Sequence, residues 1–216
     1  MNWNWLNRNT DQILSWLGSH LWLAAVPTVL GLVLALPLGA IAFRYRWSYT
    51  VLITLAGLLY TIPSLALFVV LPGILGTKIL NPLNVVIALT LYTLALLVRV
   101  VADALDSVPP LVRQSAVAMG YRPLRSLVTV QLPLAVPVIG AGLRVAAVSN
   151  VSLVSVAVLL GIPQLGQLFI IGFQLNFFTP IIAGIVLCLL VAAVFDGLIL
   201  LAVRLSTPWA RAVHAG

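Results

Sequence analysis

A chain of 216 residues that is 62% hydrophobic and only 7% charged, with mean hydropathy +1.19, is far from the roughly 25% charged content of soluble domains. It reads as an all-α integral membrane protein. At about 20 apolar residues per helical crossing there is room for five or six spans and none for a separate soluble catalytic domain. The net charge of +7 does not indicate nucleic acid in such a chain, because its cations gather at span ends, where they set orientation.

In chain order, the opening MNWNWLNRNTDQ is polar and lacks the charged, apolar and small-residue regions of a signal peptide, and residues 1–20 are read as an external interfacial segment. Trp3, Trp5, Trp16 and Trp22 read as an interfacial anchor outside the membrane, since an indole ring prefers lipid while its N–H seeks a polar partner. His20 is read as a polar residue of the same interface. The other histidine, His214, falls on the opposite side, so no metal site is expected.

Five spans follow, at residues 21–43, 51–71, 83–101, 137–160 and 180–203. Prolines 27, 37 and 63 are tolerable there because neighbouring helices re-satisfy the freed carbonyls. Pro63-Ser64 predicts a kink facing the pathway. Residues 161–175, with Gly161, Pro163, Gly166 and Gly172, predict a non-helical external hairpin or a short re-entrant piece. Cys188 is read as a small packing residue that can form no internal disulfide.

Orientation follows from the cations. Arg44, Arg46, Arg99, Arg113, Arg122, Arg125, Arg204 and Arg211 fall on one side of the five spans, Arg8 and Lys78 on the other, and Arg144 within a span. Eight against two places the N-terminus outside and the 209–216 tail in the cytoplasm.

The loop from residue 103 to 136 exceeds the two to eight residues that usually link bundle helices. Pro109-Pro110 suits a helix first turn, "LVRQSAVAM" contains good helix formers, and Gly120 supplies a stop through a left-handed backbone. A second short helix from Pro123 to about Val130 is expected to end at Leu132-Pro133. The predicted product is a helix, a sharp turn and another helix beneath the bundle, resting either on a protein partner or on lipid headgroups.

Gln114-Ser115-Ala116, three residues, Gly120, nine residues, Val130, one residue, then Leu132-Pro133 resembles the cytoplasmic signature of binding-protein-dependent ABC importer permeases. That pattern runs E-A-A, three, G, nine, I, one, L-P; here Gln114 replaces the glutamate and Ser115 the first alanine. "TIPSLAL", "LPLAVPVIGAGLR" and "LLGIPQLGQLFIIG" are similar to the osmoprotectant branch, which imports glycine betaine, carnitine and choline. The resemblance spans about residues 20–208.

It implies a permease domain over residues 21–208, with a coupling helix at about 109–121 held against a cytoplasmic ATPase. Gln114, Ser115, Ala116, Met119, Gly120, Tyr121, Leu132 and Pro133 are the implied docking residues. ATP and Mg2+ would sit on that ATPase, with no cofactor in this chain and no enzymatic activity of its own. A second permease chain, identical or homologous, and an extracytoplasmic solute-binding protein would complete the importer in a prokaryotic inner or plasma membrane. No G-x-x-x-x-G-K-[ST] motif occurs in the sequence.

Within the spans, a charge costs about 2.5 to 3.5 kcal/mol on insertion scales and so predicts a partner. Arg144 and Asp196 lie at matching depths from the inner ends of the fourth and fifth spans, which predicts an ion pair that either fixes registry or gates. Ser149, Asn150, Ser152 and Ser155 either line the pathway or join helices. Other readings of the whole chain are an amino-acid importer of the same superfamily, an ion-coupled transporter or a channel. Asp196 is thin support for ion coupling, and no paired carboxylates support an intramembrane enzyme.

Overall fold

The computed structural model describes residues 1–209; Arg211, His214 and the tail beyond Trp209 lie outside the described residues. Among those described, all regular structure is helical. Four helices or helical runs are long and apolar enough to cross a membrane, at Thr10–Arg44, Pro82–Asp106, Pro123–Leu160 and Phe178–Ser206. A bent pair, Trp47–Thr61 with Ser64–Leu75, turned by 103°, makes a fifth crossing when taken as one span. The predicted five-span, all-helical architecture is the observed one, with its boundaries redrawn.

The chain opens with α1 (Trp3–Arg8), whose first turn is capped by Asn2 accepting from the Trp5 N–H. Helix α2 (Thr10–Arg44) then runs 35 residues, so Trp16, His20 and Trp22 lie on the same continuous helix as the first apolar stretch. Asn2 N–H donates to Thr179 Oγ1 at 3.0 Å, and Trp5 packs edge-on against Phe177 at 5.8 Å. These contacts seat α1 beside the start of the last helix.

The predicted second span is two helices, α3 (Arg46–Thr61) and α4 (Ser64–Leu75). Pro63 has no N–H and forces Ile62 into extended backbone (φ −69°, ψ 128°), which breaks the helix where a mild kink was expected. The Tyr92 hydroxyl donates to the Ile62 carbonyl freed by the break. Gly76, at φ 66°, closes α4.

Helix α5 (Pro82–Asp106) starts with Asn81 accepting from the Leu83 N–H and with Pro82 in the first turn. It is the central helix and the most buried of the long apolar helices, whereas α10 (Phe178–Ser206) is the least buried. Helix α2 lies close along it because Gly31 faces Thr93 and Gly39 faces Val101, with no space at either site for a Cβ. Leu23, Phe68, Leu89, Leu165 and Leu168 fill one end of the core. Leu97, Val101, Leu105, Ala135 and Ile139 fill the other.

The long loop is mostly ordered helix. Helix α6 (Pro110–Ala118) is followed by α7 (Pro123–Ser126), a π turn at Leu127–Gln131, and α8 (Leu132–Val156). Leu132-Pro133 was expected to stop a helix. Instead the Leu132 N–H reaches back to the Leu127 carbonyl, and this wider turn carries the chain into α8 with Pro133 in a first-turn position. The fourth span thus starts at Leu132 or earlier, not at Pro137.

Ala157–Leu160 tightens into a 3₁₀ turn and stops at Gly161, φ 79°. Residues 161–175, expected to be non-helical or re-entrant, contain the short helix α9 (Gln167–Gln174). It packs on α10, where Gly172 leaves no space for a Cβ beside Ile181 and the Phe177 carbonyl.

Candidate functional site

One end of the bundle gathers the basic residues. Arg44 at the end of α2, Arg113 on α6 and Asp103 and Asp106 at the end of α5 border one cleft. Arg99 pairs with Asp103 at 3.5 Å, and the Tyr49 hydroxyl donates to Asp103 at 2.9 Å. Here α6 projects from the bundle.

The α6 stop has the geometry its sequence predicts. Gly120 adopts φ 79°. Its N–H bonds the Val117 carbonyl at 2.9 Å, while the Tyr121 N–H bonds the Ala116 carbonyl at 3.1 Å. These are the paired bonds of a Schellman closure, which satisfies carbonyls that a helix end otherwise leaves open. Gln114, Ser115, Met119 and Gly120 are exposed on the projecting element.

Other members of the predicted docking set are placed differently. Ala116 is only 1% exposed, so its small side chain faces the chain itself and not an outside partner. Tyr121 is half-buried beneath the Arg125 guanidinium, 5.0 Å from its ring. Leu132 and Pro133 are half-buried at the start of α8. Their spacing in the sequence records how α6 is joined to the span, not a continuous docking face.

Arg144 and Asp196 are brought together. Arg144 Nε donates to Asp196 Oδ1 at 2.6 Å and Nη2 to Oδ2 at 2.7 Å, a two-pronged pair between α8 and α10. Since α8 begins at Leu132, Arg144 is about 18 Å from that end, and Asp196 about 15 Å from Ser206. The pair is therefore deeper within its two helices than its sequence position suggested.

Asn150 does not line an open route. It is 1% exposed, and its Nδ2 donates to Thr28 Oγ1 and Thr93 Oγ1, both at 2.8 Å. Thr28 in turn donates to the Ala24 carbonyl. One amide thus joins α2, α5 and α8. Its neighbour Ser149 is half-buried beside Tyr60 and Tyr92, whose rings meet edge-on at 5.6 Å. Pro63 is exposed and Ser64 half-buried at the break of the bent span.

His20 is a correction: it is fully buried, not interfacial. Its Nδ1 faces Gln164 Oε1 and its Nε2 the Val151 carbonyl, each at 3.1 Å. Gln164 also accepts from the Gly166 N–H and donates to the Ser155 carbonyl, so it folds residues 161–166 back onto the bundle. A lone histidine gave no sign of this partner, which lies 144 residues away. Ser155 also lies 3.8 Å from the half-buried Cys188.

A bent apolar helix pair, a short helix α6 between two long apolar helices and an Arg144–Asp196 pair within the helical bundle describe a polytopic membrane subunit. Comparison with known proteins agrees. Residues 27–206 match the family described as "Binding-protein-dependent transport system inner membrane component", and the chain belongs to that family. It is a transmembrane permease subunit of an ATP-driven importer. The chain is 36% identical over 194 residues to the osmoprotectant import permease protein OsmW of Salmonella typhimurium, covering 88% of this chain and 90% of that protein. It is 28% identical over 205 residues to the choline transport system permease protein OpuBB of Bacillus subtilis, covering 94% and 92%. The fold matches an inward-facing MetNI methionine ABC transporter chain with TM-score 0.78 at 21% identity, covering 93% of this chain and 98% of that one.

Proposed function

We propose that the imported solute is a small compatible solute of the quaternary-amine class, such as glycine betaine, and that α6 is the helix through which a cytoplasmic ATPase drives alternating access. The solute class is supported by the relatives, whose names give osmoprotectants, choline and glycine betaine, carnitine and choline. The coupling role is carried by one observation: a Schellman-closed helix projects from the basic end with Gln114, Ser115, Met119 and Gly120 uncovered. Five crossings make half a pathway, so a second permease chain completes it. ATP and Mg2+ belong to the ATPase, and an external binding protein delivers solute. A relative in Helicobacter pylori carries permease and binding protein in one name.

The basic end is cytoplasmic and the α1 end external in this reading, because cations collect on the inner face. A cysteine placed at Arg122 then reacts with impermeant thiol reagents from the cytoplasmic side alone, and one at Lys78 from outside alone. The reverse pattern inverts the assignment. For the solute, the complete importer in proteoliposomes with ATP inside is challenged with labelled betaine, competed by choline, carnitine and amino acids. Competition by amino acids alone overturns the solute class, and failure of the chain to co-purify with an ATPase overturns the coupling assignment.

A further inference from the structure

We propose that the cavity between the basic ends of α2, α6 and the α7–π turn binds an anionic phosphodiester headgroup bearing a free hydroxyl. The cavity measures about 450 Å³ and is lined by Phe43, Arg44, Arg113, Leu124, Leu127 and Gln131 among others. Gln131 is 92% buried, being 8% exposed. Its Nε2 is held by Ser126 Oγ at 3.2 Å, while its Oε1 is the buried side-chain atom among the described residues that has no hydrogen-bond partner.

Native proteins rarely leave such an acceptor unpaired, and each case asks for an absent donor. A hydroxyl supplies one. The cations are the second observation. Arg44 is exposed at the end of α2, and Arg113 is held only loosely, with Asp106 3.9 Å away and 78% exposed. Arg113 also lies 5.6 Å over the Phe43 ring, which keeps its guanidinium at the cavity wall. Two arginines match a phosphodiester, and basic pockets between helices at the membrane's edge take anionic headgroups.

The apolar part of the lining gives an acyl chain its path. Leu124 is 72% exposed, and nearby Val128 is 52% exposed, so the wall continues onto the outer surface of the bundle. The docking assignment of α6 is not in competition with this use. Arg113 and Val117 lie four residues apart on one face of α6, whereas Ser115 is about 200° round the helix from Arg113.

The shared chemistry, a phosphodiester with a hydroxyl, comes either from phosphatidylglycerol or from a soluble glycerol phosphodiester, and the assay separates them. The importer assembled with its ATPase and second permease chain is exchanged into phosphatidylcholine bilayers containing phosphatidylglycerol or phosphatidylmethanol. Both lipids are anionic, and phosphatidylmethanol lacks the hydroxyl. Lipid retained on the complex is counted by native mass spectrometry. One hydrogen bond corresponds to about a threefold to tenfold preference for phosphatidylglycerol. Gln131→Leu is expected to remove that preference while keeping anionic retention, and Arg44→Gln to weaken retention of both lipids.

Soluble glycerophosphoglycerol added to complexes in phosphatidylcholine alone tests the second source: its retention, lost in Gln131→Leu, assigns the site to a free solute. Equal retention of the two lipids by the parent, with no retention of the soluble diester, overturns the proposal. So does a Gln131→Leu and Arg44→Gln pair that both bind phosphatidylglycerol as the parent does. None of these outcomes depends on which solute the importer carries.

Discussion

Asn150 and Arg144 stand on the same helix six residues apart, and α8 uses them in opposite ways. Asn150 is sealed among three helices and bonded by two neutral hydroxyls. Arg144 meets a carboxylate, and the pair remains 38% and 34% exposed. A neutral amide can be glue inside an apolar bundle because every donor finds an acceptor at little electrostatic cost. A charged pair left partly open within a membrane-spanning bundle cannot face lipid cheaply. The face of α8 and α10 that bears it is therefore the one expected to meet water or a partner chain.

The largest effect is expected from Asp196→Asn, because it strands the Arg144 guanidinium without its counter-ion. Folded yield in mild detergent and solute uptake should both fall steeply, and the reciprocal exchange Arg144→Asp with Asp196→Arg should restore part of each. Size-exclusion profiles and uptake read the result. A parental profile for Asp196→Asn would leave the pair without a role in either folding or transport.

Next comes Gly31→Val. The new side chain would run into Thr93, and overfilling a packed seam costs about 1 to 3 kcal/mol. It should also push Thr93 off Asn150, so adding Asn150→Leu to Gly31→Val should cost less than the two single changes summed, as residues sharing contacts do. Additive losses in thermal midpoint would show that the seam and the amide cluster act independently. Asn150→Leu alone is milder, on the order of 1 kcal/mol, since interhelical hydrogen bonds in membranes are modest. Uptake per folded molecule should stay near parental. If uptake fails while the midpoint holds, Asn150 belongs to the pathway and the contrast with Arg144 collapses.

The ion pair was legible because charge in a span demands a partner, and only two spans offered one at similar depth. The Gly120 stop was legible for an equally local reason, the absence of a Cβ. Asn150 was seen only as one of several polar residues in a row, because its partners Thr28 and Thr93 lie 122 and 57 residues away and each looks like an ordinary mid-span threonine. The buried His20 was misplaced since a histidine near four tryptophans fits an interface as well as a core. Leu132-Pro133 misled because proline ends a normal helix, whereas a π turn before it lets the chain continue. Gln131, the unpaired amide of that turn, carried no sequence signal at all.

The smallest effect on the bundle, and the sharpest on coupling, is expected from Gly120→Val. Apart from its own chain neighbours, no atom lies within 4 Å of where a Cβ would stand, so the substitution meets no steric wall from the rest of the bundle. The cost is in the backbone: φ 79° is a conformation that β-branched residues rarely adopt, worth on the order of 1 to 3 kcal/mol. Relief is available only by opening the two bonds that the Gly120 and Tyr121 N–H groups make to Val117 and Ala116. Opening them frays the end of α6 and turns Met119 away from its present direction. Arg144, Asp196 and Asn150 make none of their bonds to this segment, so the thermal midpoint of the bundle should hardly move. ATPase association and ATP-driven uptake should both fall, and Gly120→Ala, unbranched, should fall between the parent and Val. Parental uptake by the Gly120→Val importer would remove α6 from the coupling path, whatever the rest of the bundle does.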